Sequence, residues 1–544
     1  MTGKSKGDQD MPAMSAQKIL ESSASLGITA AKADNLGEWY QQILTKGEMI
    51  SYYDVSGCYI LKPGSWSIWK KIEAFLTKRF EAMGVEDCTF PLFISQDNLQ
   101  REKDHIEGFA AEVAWVTHGL TSDICSGSSK LDKPIAIRPT SETAMYGFFA
   151  NEIRSHRDLP LRLNQWVNVV RWEFKDPMPF LRSREFHWQE GHTAHISEGE
   201  AASQVLQVLD HYADMYEQLL AVPVVKGKKT VNEQFPGAQY TTTIEGFIPA
   251  TGRGIQAATS HHLGQHFSEM FNIKVEDPSV NEAGQRNSPI HVWQTSWGCT
   301  TRSIGVMILT HGDNKGLVLP PRAAKVQVVI VPVGIRAKTT DEDKQKLYER
   351  IEDLTKSLQE VQVRVHVDLR EGYSPGWKFS DWEVKGVPLR LELGPRDLVD
   401  SVVTTARRDT GVKGRIAFSV FQQEVPALLE AIQKNLFDTA NENYRAHRKI
   451  ITHWDDFVPA LDDKNLCVSP HCLRGLCEDE IKKLSARRLE VDKTTEDAKA
   501  PSMGAKSLCI PFDQPDGLVK GETRCVNPSC GELAQEWVMF GRSY

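Results

Sequence analysis

From Trp166 to Thr193 the chain reads WVNVVRWEFKDPMPFLRSREFHWQEGHT, and its hydrophobic and polar positions alternate with a period of two. Val167, Val169, Arg171 and Glu173 fall on one face, and Val170, Trp172 and Phe174 on the other, which predicts a strand. Pro177 and Pro179 interrupt the alternation and mark a loop. The pattern resumes with Phe186, Trp188 and Glu190 on a shared face, so the stretch reads as two strands joined by a stiff loop. An arginine and a glutamate stand side by side on the first strand, and the loop adds Arg182 and Arg184. Guanidinium groups match phosphate oxygens in a bidentate fork, so the cluster suits a polyanion such as a triphosphate. A salt-bridged hairpin in an ordinary antiparallel sheet accounts for the same charges.

Elsewhere the pattern is helical from Asn35 to Lys46 and strand-like over Tyr52–Ile60. Pro63-Gly64-Ser65 opens an amphipathic helix with Trp69, Ile72, Leu76, Phe80 and Met83 at helical spacing, and Gly84 stands where a C-terminal cap belongs. Val85–Phe93, containing Pro91, predicts a strand. Ile135–Ser141 predicts another, ending in a turn before a helix from Glu142 through Phe149. Thr140-Ser141-Glu142 could serve simply as a helix N-cap with an acidic first turn. A helix follows between His195 and Leu220, then alternating turns and strands over residues 232–260, a turn at Thr251–Gly254 and the run IQAATSHHLGQHF. His291–Met307, HVWQTSWGCTTRSIGVM, predicts a strand, a turn at Gly298 and a helix start carrying Arg302. From Ala323 the character changes. KVQVVIVPV, VQVRVHVDL, VPLRLELG, SVVTTARR and RIAFSV predict strands, with a charged helix over Asp343–Gln359. Such alternation implies a separate α/β domain on a parallel or mixed sheet. From about Phe437 a polar helix opens a last segment that ends in cysteines.

A chain of 544 residues has room for roughly two to four domains, each with its own core. Hydrophobic residues at 40% and charged residues at 25% are those of a soluble globular protein. The net charge of −8 does not advertise a nucleic-acid binder, although a local basic surface would suffice for phosphate contacts. No run reaches the length of a membrane helix; the best, Val326–Ile335, contains Pro332. Residues 1–27 read as a flexible tail with a short helical patch, without an apolar signal core, which argues against secretion. Ten cysteines in so long a chain are not a disulfide framework, and a reducing cytoplasm fits them best. Cys472 and Cys477 match Cys525 and Cys530 in spacing, which favours a four-coordinate structural zinc. Cys467, His471 and Cys509 are substitute ligands, and a reduced, metal-free remnant is the other reading. His261, His262 and His266 lack carboxylate or cysteine partners at helical spacing and are weak metal candidates. The GKKT of residues 227–230 lacks the upstream glycine and spacing of a phosphate loop.

Arg-x-Glu at the end of a strand, a loop, then a second strand resembles motif 2 of the class II aminoacyl-tRNA synthetases. The wording NVVRWEF followed by FLRSREFHWQEGH resembles the prolyl-tRNA synthetases of eukaryotic and archaeal type, and the resemblance runs from about Ile28 to Tyr544. It implies an α+β catalytic domain on an antiparallel sheet over residues 28–322. An α/β anticodon-binding domain over 323–436 and a small zinc-binding-like α/β domain over 437–544 would follow. The helix, glycine, strand and proline of residues 63–93 resemble motif 1, which implies a homodimer. By resemblance, Thr140 and Glu142 receive the amino-acid ammonium, and a buried ammonium does need a carboxylate partner. Arg171, Trp188, His261, Ser296, Trp297 and Gly298 would complete the proline pocket. Arg171, Glu173, Arg182, Gln256, Thr259, Thr300 and Arg302 would hold ATP, with Arg171 on the α-phosphate, Arg302 on the distal phosphate and Mg2+ bridging phosphates. GVPLRLELGPRDL implies that Arg390, Glu392 and Arg396 lie near the anticodon. The implied reaction joins L-proline to ATP as prolyl-adenylate, releasing pyrophosphate, then transfers prolyl to the 3′ end of tRNA(Pro). The short interval between His195 and His291 leaves no room for the editing insertion of the bacterial-type enzymes. A synthetase for threonine, glycine or histidine, an AMP-forming ligase without tRNA, and a non-catalytic scaffold are the alternatives. The motif wording, the α/β domain and the presence of Glu142, Arg171 and Arg302 weigh against them in turn.

Overall fold

The helix opened by Pro63 runs over Pro63–Ala82 and buries Ile68, Trp69, Ile72, Leu76 and Phe80. Gly84 follows its last turn at φ +72°, a conformation that suits glycine because it has no Cβ. This helix belongs to a hydrophobic cluster shared with Tyr212 and Tyr216, Trp297, and the helix Arg302–His311. The computed structural model describes residues 27–105, 113–120, 128–172, 177–279, 287–336, 338–486 and 503–544. Apart from Gly27, the tail expected over residues 1–27 lies outside them, as does Glu173.

The strands of the expected hairpin, Leu161–Val170 and Glu185–His195, pair antiparallel from Leu161 with Ala194 to Val170 with Glu185. They sit in an eleven-stranded sheet among the described residues. Trp293–Thr300 pairs with Glu185–His195, Arg253–Gly264 with Trp293–Thr300, and Tyr240–Ile248 with Arg253–Gly264, all antiparallel. Two expectations change. Val85–Phe93 supplies only Glu86–Asp87 to this sheet, because Pro91 cannot donate to a ladder, and pairing resumes elsewhere at Phe93–Ser95. Ser296–Gly298 is not a turn: all three residues lie within the strand Trp293–Thr300, and the chain turns at Thr301.

Beyond Tyr240–Ile248 the sheet continues through Val225–Lys228 to Lys506–Pro511, where Ile510 pairs with Lys228 and Pro511 with Gly227. Glu536–Ser543, Leu466–His471 and Arg448–Ile450 complete it. The C-terminal segment is thus bonded strand to strand with the sheet that carries the hairpin. A second, five-stranded sheet forms over residues 328–417. Val328–Pro332 runs parallel to Val365–Val367 and Leu389–Leu393, and Val402–Arg407 and Lys413–Ala417 add antiparallel strands. The helix Asp341–Glu360, capped by the Thr340 side chain, buries Leu347, Ile351, Leu354 and Leu358 in that domain's core. The helix Phe421–His447 ties the two sheets together. Phe421, Val425 and Leu429 enter the core of the second domain, while the Tyr444 hydroxyl donates to Glu245 O at 3.0 Å on the large sheet. The domain boundary expected at 436/437 falls inside this continuous helix. Among the described residues no helix is long and apolar enough to cross a membrane.

Candidate active site

A cavity of about 330 Å3 opens on the large sheet. The sheet supplies Trp188, Gln256, Thr259, His261, Ser296, Trp297, Gly298 and Thr300; the turn before Glu142–Glu152 supplies Thr140 and Glu142; the hairpin loop supplies Arg182; and strand and helix ends supply Arg171 and Arg302. Every residue expected to touch the amino acid or the nucleotide therefore meets here, except Glu173, which lies outside the described residues.

Three guanidinium groups share the cavity. Arg171 directly follows the strand that ends at Val170; its Nε donates to Pro139 O at 3.0 Å. Its guanidinium lies 5.5 Å from the Phe186 ring and 5.3 Å from the Trp188 ring, within reach of a cation–π attraction. Arg302, first residue of its helix, donates through Nε to Leu181 O at 3.3 Å and through Nη1 to Gln256 O at 3.2 Å. Burial pushes the Arg302 pKa down, and the positive charges of Arg182 and Arg171 push it the same way. Cations gathered against their own repulsion are a site prepared for a polyanion.

Around Glu142 the chemistry is carboxylate-rich. The Thr140 hydroxyl donates to Glu142 Oε2. Ser141 occupies the N-cap position of the helix Glu142–Glu152, yet its side chain caps nothing there. It donates instead to Glu190 Oε1 at 2.5 Å, which the Gln165 amide also reaches at 2.6 Å. His192 Nε2 lies 3.2 Å from Glu190 Oε2, and the Tyr146 hydroxyl lies 3.0 Å from His192 Nδ1. Burial alone would raise the Glu190 pKa. The hydrogen bond and charge of His192, with bonds from Ser141 and Gln165, more than offset this and hold it below the usual carboxylate value. The sequence placed Glu190 on the face of Phe186 and Trp188 but gave it no role; that shared face was the available signal.

His261 walls the cavity with its Nδ1 2.9 Å from Thr241 Oγ1 and its ring 4.8 Å from that of Phe235. Burial pushes its pKa down to about 3, so it serves as a neutral surface. Phe235 and Thr241 line the cavity too; both fall in the stretch read as alternating turns and strands, and nothing in that pattern singled them out. Trp297 needs correction as a side-chain contact. Its indole packs 6.3 Å from the Phe80 ring in the helix-side core, so alternation leaves its backbone to face the cavity between Ser296 and Gly298. Ser296 Oγ and Trp188 Nε1 are buried without a partner among the described residues. His262 stacks on Tyr240 and His266 Nδ1 donates to Gly237 O, so the three histidines do not converge. In the GKKT segment, Lys229 forms a buried ion pair with Glu245 at 2.7 Å.

Two sites lie away from the cavity. Cys472 Sγ is 3.5 Å from Cys530 Sγ, and Cys477 Sγ is 3.7 Å from Cys525 Sγ. Thiolates placed tetrahedrally at about 2.3 Å from zinc stand roughly 3.8 Å apart, so each of these two pairs has the spacing of zinc ligands. The ligand atoms of His471, Cys472, Cys477 and Cys525 also fall within 4.8 Å of one another. In the smaller sheet, Glu392 is held by Arg390 at 2.9 Å and Lys413 at 3.0 Å, and Arg390 lies 4.0 Å from the Phe379 ring. Arg396 stands exposed on the short helix Pro395–Asp400.

Residues 125–311 match the family described as tRNA synthetase class II core domain (G, H, P, S and T). Residues 327–428 match the anticodon binding domain, and 454–544 the prolyl-tRNA synthetase C-terminal family. The cytoplasmic proline–tRNA ligase of Arabidopsis thaliana is 49% identical over 97% of this chain and 93% of its own length. The proline–tRNA ligase of Encephalitozoon cuniculi is 44% identical over 95% and 99%. A crystal structure of prolyl-tRNA synthetase from Cryptosporidium parvum complexed with halofuginone and AMPPNP superposes with a TM-score of 0.86 at 48% identity, covering 95% of this chain and 100% of that one. With a class II core, an anticodon-binding domain and the prolyl C-terminal domain in one chain, the protein belongs to the prolyl-tRNA synthetases and is a proline–tRNA ligase.

Proposed function

We propose that the cavity holds proline and ATP side by side and that its residues divide the work as follows. Thr140 and Glu142 receive the secondary ammonium of proline, with Trp188, His261, Ser296 and Gly298 around the ring. Arg171 lies where it can serve both substrates, tied to Pro139 beside the ammonium pocket and stacked near Phe186 and Trp188. A proline carboxylate oxygen attacks the α-phosphorus; the bond to pyrophosphate breaks, and Arg171 offsets the charge that builds on the α-phosphate. Arg302 and Arg182 hold the β- and γ-phosphates, while Gln256, Thr259 and Thr300 contact the nucleotide. Mg2+ bound with the nucleotide would supply further charge neutralisation on the phosphates. A ribose hydroxyl at the tRNA 3′ end then attacks the acyl carbon and AMP leaves. Phe186 and Trp188 keep water from the mixed anhydride. The observation that carries this reading is the convergence of Arg171, Arg182 and Arg302 with Thr140 and Glu142 in one cavity.

Zinc at Cys472, Cys477, Cys525 and Cys530 is supported by their sulfur separations, with His471 as the alternative fourth ligand. Arg390, Glu392 and Arg396 approach the anticodon, Arg396 being the exposed one of the three. A homodimer would cover the exposed Ile60, Trp66, Phe93 and Trp115. A cytoplasmic location accords with nine free thiols among the described residues and with the cytoplasmic relative. The domains run over 28–322, 323–436 and 437–544, with the helix Phe421–His447 shared by the last two. ATP–pyrophosphate exchange across the twenty amino acids tests the pocket. Exchange with proline alone is expected; exchange driven by another amino acid would overturn the pocket assignment, and none at all would overturn activation.

A further inference from the structure

The strands place Glu190 where it can act on the amino-acid pocket without being one of its expected contacts. It stands between Gln165 on one neighbouring strand and Gly298 on the other. Its carboxylate is 1% exposed, and each oxygen is engaged: Oε1 by Ser141 and Gln165, Oε2 by His192. Gln165 and Ser141 are themselves joined at 2.8 Å, closing a three-membered ring of side chains. Gln165 reaches on through its Oε1, which accepts from the Phe90 amide at 3.0 Å.

Ser141 is the informative member. A serine at an N-cap normally accepts from the amides of its own helix. Here that hydroxyl is turned away from the helix and given to Glu190. The helix forgoes its side-chain cap, and the turn Thr140-Ser141-Glu142 is pinned to the central strand instead. Thr140 and Glu142, which flank Ser141, are thereby aimed into the cavity with their side chains bonded to each other.

We infer that Glu190 is a positioning residue for proline: acting through Ser141 and Gln165, it fixes the turn whose Thr140 and Glu142 take the substrate ammonium. This rests on the ammonium role proposed above for Thr140 and Glu142. A serine at 141 then matters for its bond to the sheet rather than for capping. A fully buried carboxylate at 190 matters because only an acceptor can take the Ser141 hydroxyl, the Gln165 amide and the His192 ring N–H together. A glutamine there would turn one N–H toward a donor.

The test is proline-dependent ATP–pyrophosphate exchange on the full chain, with KM for proline and KM for ATP determined separately. The variants are Glu190→Gln, Ser141→Ala, their combination and Ser141→Thr. Glu190→Gln and Ser141→Ala are each expected to raise the KM for proline roughly ten-fold, the scale of losing one buried charge-assisted hydrogen bond. The KM for ATP should stay near wild type, and Ser141→Thr, which keeps the hydroxyl, should restore most of the loss. The double variant should be no worse than the worse single one, because both break the same link. If Glu190→Gln raises the KM for proline while Ser141→Ala does not, Glu190 acts on substrate directly and the inference falls. If both variants lower only the melting temperature and leave both KM values alone, the network is structural and the inference falls. Thr140→Ala separates the underlying reading: an unchanged KM for proline in that variant would remove the ammonium pocket itself.

Discussion

Replacing Arg302 by alanine tests the electrostatic design of the site most directly. Its guanidinium is fixed by Leu181 O at 3.3 Å and Gln256 O at 3.2 Å, so for the phosphate role proposed above it is already in position rather than recruited. Removing one preorganised donor from a water-poor site costs about 3–4 kcal/mol of transition-state stabilisation. That is roughly a 10^2–10^3-fold loss in kcat/KM for ATP. The two carbonyls left without a donor cost about 1 kcal/mol each, and relief of repulsion with Arg182 and Arg171 works against that cost, so the free protein should melt near the wild-type temperature. Arg302→Lys keeps the charge but not the fork, and should recover about ten-fold at most. The assay is ATP–pyrophosphate exchange, varying ATP at saturating proline and then the reverse. The loss should appear on the ATP side with KM for proline close to wild type, and the rise in melting temperature on adding ATP should disappear. If Arg302→Ala stayed within about three-fold of wild type in kcat/KM for ATP, Arg171 and Arg182 would suffice for the polyphosphate and the assignment would be wrong.

Gly191→Ala would set a methyl group 2.1 Å from Trp297 Cε2, against an indole that is itself buried in the core and cannot swing away. A loss of about 3 kcal/mol or more is expected in urea unfolding, and a loss below about 0.5 kcal/mol would refute the packing. The purified protein should carry about one zinc per chain by elemental analysis, lost in Cys525→Ser with a fall in melting temperature; metal-free protein of full stability would exclude the site. His195 is fully buried and its pKa is pushed down to about 3, mainly by burial and then by Arg162. The unfolded chain, with its histidine near 6.5, therefore binds the extra proton first. Stability should fall by about 1.4 kcal/mol per pH unit as pH drops from about 6.5 toward 3, and His195→Asn should flatten that slope in denaturant titrations at pH 7, 6 and 5.

Local pattern carried a long way in this chain because its chemistry rides on strands. Two-residue alternation put Arg171 at a strand end and Phe186, Trp188 and Glu190 on one face, and the sheet keeps that arrangement. Alternation also misled in one place: SWG looks like a turn, yet Gly298 is a strand residue beside Glu190, and Trp297 sends its indole to the opposite face. The diversion of Ser141 from its helix to Glu190 was hidden because the two are 49 residues apart and a Thr-Ser-Glu run is locally a good cap. Phe235 reaches the cavity from a stretch of turns and strands in which nothing singled it out. The union of the C-terminal strands with the catalytic sheet could not be read at all, because strand pairing across residues 227 and 511 leaves no periodic trace in either segment.

That union has a consequence for synthesis and quality control. While residues 506–543 are still in the ribosome, Val225–Lys228 presents an unpaired rim of backbone donors and acceptors, ready to accept any extended segment that arrives first. The catalytic half cannot seal itself on emergence as an independent domain would; it waits for its own distal strands. A chain cut short before Lys506 would keep every residue of the cavity and still be exposed to strand-to-strand association with its neighbours. Premature termination in this protein should therefore yield aggregates or degraded fragments rather than a smaller active enzyme.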